Sequence, residues 1–171
     1  MGRLTVLFVC LVSACLLVLN AASGEGPMKI ASPAFAENGK IPKQYTCDGQ
    51  DVSPPFTIEN PPANTASFAM IVDDPDAPGG TWVHWVIWNI DPATREIGAA
   101  AVPKGALQGI NDFKKKAYGG PCPPSGTHRY FFKLYALNAL LTLSPGSTKG
   151  GLEKGMLGHV LARAELVGRF R

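Results

Sequence analysis

The chain has 171 residues, of which 16 are lysine or arginine and 13 are aspartate or glutamate, so its formal net charge is +3. So small a charge does not support nucleic-acid binding, which needs a strongly basic surface to neutralise phosphates. The basic run Lys114–Lys116 is short, and a run of this kind is typical of a solvated turn or strand end. A specific contact with an anion or a membrane is the alternative. We therefore predict no nucleic-acid partner.

The N-terminus has the pattern of a secretory signal peptide. Arg3 is the one charged residue among residues 1–23, and residues 4–19 are uncharged and mostly apolar. This run is shorter than the roughly 20 apolar residues that span a bilayer. We predict cleavage after Ser23, a periplasmic or secreted protein, and no transmembrane span after processing. A lipid anchor at Cys15 and an uncleaved membrane segment are the alternatives.

Removal of residues 1–23 leaves residues 24–171, a length that suits a single domain with its own core. Cys47 and Cys122 are the two cysteines that remain. Two cysteines in an oxidising compartment are candidates for a disulfide, and two free thiols are the competing interpretation.

Short apolar runs, rich in β-branched and aromatic residues, alternate along the chain with turn residues, including 15 prolines and 19 glycines. Runs bounded in this way predict β-strands. The predicted strands are 54–58, 67–72, 81–90, 129–137 and 159–170, and a short helix is expected at 148–157. The strand at 82–90 has large apolar residues on both alternating faces, which predicts burial on both sides. Alternation at the C-terminus predicts a half-buried final strand with Val160, Ala162, Ala164, Leu166 and Phe170 facing inward. The fold predicted is all-β, an antiparallel sandwich with one or two short helices.

Two segments rich in proline and glycine, 73–80 and 118–127, each lead into a predicted strand that carries a histidine. Side chains alternate across a strand with a period of two. This alternation predicts two aromatic faces with one histidine each, Trp82 with His84 and Trp88, and His128 with Tyr130 and Phe132. If the two strands are neighbours, both imidazoles meet in an aromatic hollow at one end of the sheet.

Polar groups suited to an anion lie beside these histidines in the sequence. Asp74 or Asp76 is placed to orient an imidazole through Nδ1, and the backbone amides of Gly119 and Gly120 are expected to face the same hollow. Imidazoles and loop amides together bind phosphate, sulfate or carboxylate. The alternatives are core histidines that bond backbone carbonyls, and carboxylates that only cap turn amides.

The sequence offers no assembled set of nucleophile, base and orienting group. We find no nucleophile elbow, no phosphate-binding loop, and neither an H-E-x-x-H nor a paired C-x-x-C pattern. Pro75 and Pro78 interrupt the acidic stretch that would otherwise suggest a calcium loop. We therefore predict no catalytic residue, no metal site and no cofactor, and a protein that is not an enzyme.

Four ordered motifs resemble the signature of the phosphatidylethanolamine-binding protein family, in its bacterial Raf-kinase-inhibitor-like branch. The motifs are D-D-P-D-A-P from Asp73, W-V-H-W from Trp82, G-G-P-C-P-P from Gly119 and G-T-H-R-Y from Gly126. The resemblance implies a β-sandwich of two antiparallel sheets with a cavity that binds anions or phospholipid headgroups. Carried over by position, its ligand site is Asp74, Asp76, Trp82, His84, Gly119, Gly120, Pro121, His128 and Tyr130.

The function expected from residues and resemblance together is the non-enzymatic binding of a phosphate-bearing or other anionic small ligand or phospholipid headgroup. A regulator that binds a protease or a kinase is the first alternative, because some relatives act in this way. A hydrolase-like enzyme that uses His84 and His128 as acid and base is the second.

Overall fold

The computed structural model describes residues 26–171, and the predicted signal peptide at 1–23 lies outside the described residues. The described residues form nine strands, one α-helix and one 3-10 turn. The strands are β1 Lys29–Ala31, β2 Gly39–Lys40, β3 Phe56–Glu59, β4 Ser67–Asp74, β5 Trp82–Ile90, β6 Glu96–Ile97, β7 Leu107–Gln108, β8 His128–Leu137 and β9 Val160–Phe170; the helix α1 is Lys149–Gly155 and the 3-10 turn is Lys43–Tyr45. The predicted β-rich fold with a short helix is confirmed.

Two sheets form the sandwich. The larger has the strand order β2-β9-β8-β4-β5-β7, and the smaller has the order β1-β3-β6. All pairings are antiparallel except that between β2 and β9, which is parallel over two residues. The two long strands that carry the histidines, β5 and β8, are therefore not neighbours, because β4 lies between them.

The main core lies between the two sheets. Phe56 and Ile58 of the small sheet pack with Trp85, Phe132 and Leu134 of the large sheet. Full burial of one such side chain contributes about 1.5–3 kcal/mol, so this layer supplies most of the hydrophobic stabilisation of the sandwich.

A second core lies on the opposite face of the large sheet. Ile71 and Trp88 pack there against Leu152 of α1 and Met156, which follows α1. The central strands are thus covered on both faces, as the apolar pattern of 82–90 predicts. Asp73 also faces this side, and its buried carboxylate accepts hydrogen bonds from Lys133 and Lys149 at 2.6 Å, which fastens the start of α1 to the sheet.

A β-bulge interrupts β5 at its one histidine, His84. Val72 pairs with Trp85 and Asp73 pairs with Val83, so His84 is an extra residue without a partner on β4. Because of this extra residue, Trp88 faces the helix side and not the side of His84. The prediction that Trp88 shares the face of Trp82 and His84 is therefore wrong.

A second β-bulge, in β9, changes which side chains of the final strand face inward. Ala136 pairs with Ala162 and Leu137 pairs with Val160, so Leu161 is an extra residue. Ala164, Leu166 and Phe170 are buried as predicted, whereas Val160 is 46% exposed. The bulge reverses the alternation before Ala162, which is why the inward orientation predicted for Val160 is wrong.

No helix among residues 26–171 is both long and apolar enough to cross a membrane.

Candidate functional site

A cavity of about 500 Å³ opens where β4 ends and where β5 and β8 begin. Its volume lies in the range of sites for small molecules. Its lining residues are Asp74, Ala77, Pro78, Gly79, Gly80, Thr81, Trp82, His84, Asp112, Phe113, Cys122, Pro123, Pro124 and His128. The structure thus brings four of the sequence-predicted site residues to one cavity, namely Asp74, Trp82, His84 and His128.

His128 is held at the base of the cavity by a carboxylate. Its Nδ1 lies 2.8 Å from Oδ2 of Asp74, and both side chains are buried. A carboxylate accepts hydrogen bonds, so Nδ1 carries the proton and Nε2 is left for a ligand. Asp74 is the last residue of β4, the strand between the two histidine strands, and this position lets it reach the imidazole. The other candidate for this role, Asp76, directs its carboxylate hydrogen bonds to Arg129 instead.

His84 is fixed in a similar way by a carbonyl. Its Nδ1 lies 2.6 Å from the carbonyl oxygen of Gly119, and the residue is 2% exposed. Burial lowers the pKa of His84 below its ordinary value, and the Gly119 carbonyl and the Asp74 carboxylate offset this effect only in part. The neutral ring therefore donates from Nδ1 and presents Nε2 as an acceptor.

The bulge gives His84 a backbone carbonyl that no strand neighbour can satisfy. Two other groups satisfy it: the amide of Gly119 donates at 3.0 Å and Nδ2 of Asn111 donates at 3.1 Å. The unpaired residue of β5 is therefore held on both its backbone and its ring, which fixes the direction of the imidazole.

Asn111 organises the loop that forms one side of the cavity. Besides its bond to His84, its Nδ2 donates to the carbonyl of Ala117 at 2.8 Å, and its Oδ1 accepts from the amide of Lys115 at 2.9 Å. Asn111 is only 1% exposed. One buried side chain thus closes residues 111–117 into a fixed turn against β5.

The same turn places an aromatic ring over the histidine. Phe113 makes edge contacts with His84 and with Trp82, at centroid distances of 5.4 and 5.5 Å. Asp112 holds the turn at the strand edge, because its Oδ2 accepts from the amide of Val83 at 2.8 Å. Trp82 and Phe113 are 40% and 37% exposed, so they stand at the cavity mouth.

The expected roles of Gly119 and Gly120 are wrong. Their amides do not face the cavity, because the amide of Gly119 bonds the carbonyl of His84 and that of Gly120 bonds Oδ1 of Asp51 at 2.6 Å. Glycine is needed here for close approach. A Cβ on Gly119 would lie 2.6 Å from the ring of Phe113, and one on Gly120 would lie 2.6 Å from Oδ1 of Asp51.

A disulfide fastens the wall that carries these glycines. Cys47 is bonded to Cys122, a residue of the cavity lining, and their Cα atoms are 5.5 Å apart. The amide of Cys47 donates to the carbonyl of Pro121 at 3.1 Å, and the hydroxyl of Tyr118 donates to the carbonyl of Tyr45 at 3.0 Å. Pro121 therefore has a structural role beside the cavity and is not part of its lining.

Two more predicted site residues support the cavity from outside its lining. Asp76 forms a two-point ion pair with the guanidinium of Arg129 and also accepts a hydrogen bond from the backbone amide of Arg129. The side-chain hydrogen bond from Arg129 is the main reason that the pKa of Asp76 falls to about 2. Tyr130 packs the edge of its ring against His84 at 5.2 Å, and its buried hydroxyl has no hydrogen-bond partner in the part of the chain that the structure describes. Burial raises the pKa of that hydroxyl.

The ionisable side chains that line the cavity are two carboxylates and two imidazoles. Neither lysine nor arginine lines it, whereas Asp74 and Asp112 do. The described residues contain no group of three or more histidine, cysteine or acidic side chains that is placed to hold a metal ion. A negatively charged ligand would therefore depend on the two imidazoles, with a carboxylate left over for any positive group on that ligand.

Sequence reasoning missed the residues of the 111–117 turn. Asn111, Asp112 and Phe113 lie in a loop, where no periodicity marks a side chain as facing a site. Their roles arise from contacts with residues far away in sequence, which a single sequence does not display. The aromatic residue before the lysine run was the one local signal, because an exposed phenylalanine beside charged residues is unusual in a simple turn.

Comparison with known proteins agrees with this fold. The family model for the phosphatidylethanolamine-binding protein matches residues 31–171. A UPF0098 protein of Methanothermobacter thermautotrophicus is 47% identical over 149 residues, which cover 84% of this chain and 99% of the relative. A UPF0098 protein of Aquifex aeolicus is 46% identical, with coverage of 88% and 92%.

Two solved structures have the same architecture. A phosphatidylethanolamine-binding protein homologue of Chlamydia trachomatis superposes with a TM-score of 0.82 at 38% identity and covers 85% of this chain and 97% of its own. YbcL of Escherichia coli, described as a member of the mammalian PEBP family, gives a TM-score of 0.80 at 29% identity and covers 85% and 99%. This chain belongs to the phosphatidylethanolamine-binding protein family.

Proposed function

We propose that the protein is a non-enzymatic receptor for a small phosphate-bearing ligand or a phospholipid headgroup, which it holds in the imidazole cavity. The observation that carries the proposal is the matched state of the two histidines. Each ring is buried and bonded through Nδ1, at Gly119 for His84 and at Asp74 for His128. Both Nε2 atoms are therefore available to one ligand in the same cavity.

The protonation of these rings narrows the class of ligand. A neutral imidazole that is bonded through Nδ1–H offers an acceptor at Nε2, so it suits an oxyanion that carries a proton or one that brings a proton on binding. A phosphate monoester has its second pKa near 6, so its monoanion carries a proton that it can donate to Nε2 of such a ring. A dianion without a proton is a poorer match at neutral pH.

The mouth of the cavity suits a cationic group on the same ligand. Asp112 lines the cavity, and Trp82 and Phe113 present aromatic rings beside it. Ammonium groups bind to carboxylates and to the faces of aromatic rings. These residues favour a zwitterionic phospho-ammonium headgroup, such as ethanolamine phosphate, over inorganic phosphate.

The test is a titration followed by NMR of the imidazole resonances. Ethanolamine phosphate is expected to perturb both His84 and His128, and glycerol phosphate is expected to bind more weakly. Asp112→Asn should remove the preference between the two, because an amide oxygen can still accept from Val83 but carries no charge. Failure of either histidine to respond at millimolar ligand would refute the proposal.

We also infer that the protein works outside the cytoplasm. The apolar segment 4–19 and the disulfide between Cys47 and Cys122 support this location, because disulfides persist mainly in oxidising compartments. The mass of the protein recovered from cell fractions tests the inference: export predicts a chain that begins near residue 24, and an intact Met1 in the cytosol contradicts it.

A further inference from the structure

At the cavity mouth the structure has a surface that extends beyond the ligand site. Trp82 and Phe113 stand at the mouth with exposed rings. Lys114, Lys115 and Lys116 follow directly and are all exposed. We call these five residues the mouth surface. None of the three lysines takes part in an ion pair within residues 26–171, in contrast to Lys133 and Lys149, which both bond Asp73.

The mouth surface is rigid enough to act as a unit. Asn111 bonds Lys115 and Ala117 from inside the turn, and its carbonyl accepts the amide of Lys114. Lys114 has a φ of 64°, a conformation that turns the chain sharply. Phe113 is further held by its contacts with His84 and Trp82. The aromatic pair and the lysines are therefore displayed together at fixed positions.

The residue types of the mouth surface indicate which kind of partner it fits. A tryptophan ring, which is apolar but carries one N–H, prefers the headgroup region of a bilayer, and a phenylalanine beside it adds apolar area. Lysine clusters are attracted by the negative surface potential of anionic lipids. Asp112 is the one acidic side chain inside the turn, so its single negative charge against three lysines leaves a local excess of positive charge. The cavity opens beside this aromatic pair. If the pair lies in a lipid surface, a headgroup can therefore enter the cavity without crossing bulk water.

We propose that the mouth surface docks the protein on an anionic phospholipid bilayer, with Trp82 and Phe113 in the headgroup layer and Lys114–Lys116 against the lipid phosphates. The proposal rests on the proposed function, since docking brings the cavity to its headgroups. Each lysine near an anionic surface contributes about fivefold to binding, so the three together are expected to contribute on the order of 100-fold.

The test uses fluorescence quenching of the full chain by vesicles of brominated phosphatidylcholine with phosphatidylglycerol. Trp85 and Trp88 are buried at 1% and 0% exposure, so quenching by the lipid reports Trp82, and Trp82→Phe should abolish it. The signal is local to the mouth surface, and it does not respond to attachment of the chain through its N-terminal segment alone. Vesicles of brominated phosphatidylcholine without phosphatidylglycerol should quench far less.

A matched pair of variants isolates the lysines. Lys114→Gln/Lys115→Gln/Lys116→Gln should weaken quenching by at least tenfold in vesicle concentration, and Lys115→Gln/Lys116→Gln serves if the triple variant folds poorly. The control Lys29→Gln/Lys104→Gln/Lys154→Gln removes the same charge from three exposed residues on β1, on the turn before β7 and on α1. Equal loss in both sets, or no quenching in the unmodified protein, would overturn the proposal.

Two combinations of results distinguish the docking proposal from the proposed function. If ethanolamine phosphate perturbs His84 and His128 but vesicles do not quench Trp82, the docking proposal fails and the ligand site stands. If vesicles quench Trp82 but the histidines do not respond to the soluble headgroup, the ligand site fails and docking stands. Competition by polyglutamate that matches unlabelled anionic vesicles at equal charge would assign the surface to acidic proteins and overturn the lipid proposal.

Discussion

Asp74 bonds His128 across 54 residues of sequence, with Oδ2 placed 2.8 Å from Nδ1, and both side chains are almost completely buried. The pair joins the end of one central strand to the beginning of its neighbour. It also fixes which nitrogen of the ring faces the cavity, so it links the packing of the sheet to the chemistry of the site.

Replacement of that carboxylate tests the link. Asp74→Asn keeps the shape of the side chain but replaces a charged acceptor by a neutral one, and hydrogen bonds to charged groups are about twice as strong. We expect binding of ethanolamine phosphate to weaken by roughly tenfold, which corresponds to about 1.4 kcal/mol. Calorimetric titration measures the affinity. Unchanged affinity in a folded variant would show that His128 does not depend on Asp74.

The lowered pKa of His84 predicts that anion binding becomes stronger in mild acid. Sulfate keeps a constant charge over the range tested, so the proton that its binding favours must be taken up by the protein. Affinity should rise as the pH falls from about 7.5 towards the lowered pKa of His84, by at most about tenfold per pH unit for each proton taken up, and should level off below it. His84→Gln should flatten the profile, whereas His159→Gln, at a histidine bonded to Asn138, should not.

The same shift has the opposite effect on the ligand-free fold. A histidine whose pKa is lowered on folding contributes stability that is complete above its unfolded pKa, near 6.5, and that is lost as the pH falls through the folded value. Urea unfolding at a series of pH values should show this loss in the parent protein and less of it in His84→Gln. Added sulfate should offset it, because the anion stabilises the protonated ring.

Loss of the disulfide should affect both stability and binding. Cys47 and Cys122 are separated by 75 residues, and chain-entropy models assign a crosslink of this span about 4 kcal/mol. Cys47→Ser/Cys122→Ser should lower the free energy of unfolding by roughly that amount, measured by urea denaturation. Ligand affinity should fall as well, since Cys122 lines the cavity. A variant with lower stability but unchanged affinity would show that the hydrogen bonds of Tyr118 and Gly120 hold the wall without the crosslink.

Asn111 offers a prediction about the turn at the cavity mouth. Asn111→Ala removes three hydrogen bonds, those to the carbonyls of His84 and Ala117 and that from the amide of Lys115, and each such bond contributes about 0.5–1.5 kcal/mol. We expect lower stability together with weaker ligand binding, because Phe113 and His84 lose their support. Hydrogen exchange should accelerate in residues 111–117.

A second asparagine provides the matched control for this change. Asn89 exchanges two side-chain hydrogen bonds with the backbone of Leu141, near the opposite end of β5, and its φ of 56° is compatible with glycine. Asn89→Gly should therefore lower stability without weakening ligand binding. Equal loss of binding in both variants would indicate that Asn111 acts only through global stability.

The sandwich could be predicted from sequence because its strands carry strong local signals. The run 82–90 has large apolar residues on both faces, and burial on both sides follows from that pattern alone. The bulges could not be predicted in this way. The extra position at His84 exists because of how Val72 and Asp73 pair with β5, and pairing register is a property of two segments at once.

The same distinction between local and long-range signals applies to the residues of the candidate site. His84 and His128 were identified because each opens a buried strand after a loop rich in proline and glycine. The role of Gly119 was misjudged, because its amide is satisfied by His84 and its missing side chain makes room for Phe113, a residue from another part of the loop. Asn111 gave no signal, since a single polar residue in a loop looks the same whether it faces water or three backbone groups.

Because His84 is the extra residue of a bulge, the pairing of β5 with β4 does not depend on it. Since Val72 pairs with the residue after it and Asp73 with the residue before it, a deletion of this one residue would leave the ladder between β4 and β5 unbroken at this point. Every other side chain of the strand would keep its face, and both apolar layers would remain intact. Lineages could therefore gain or discard this candidate ligand-binding group in one step while they inherit the same architecture.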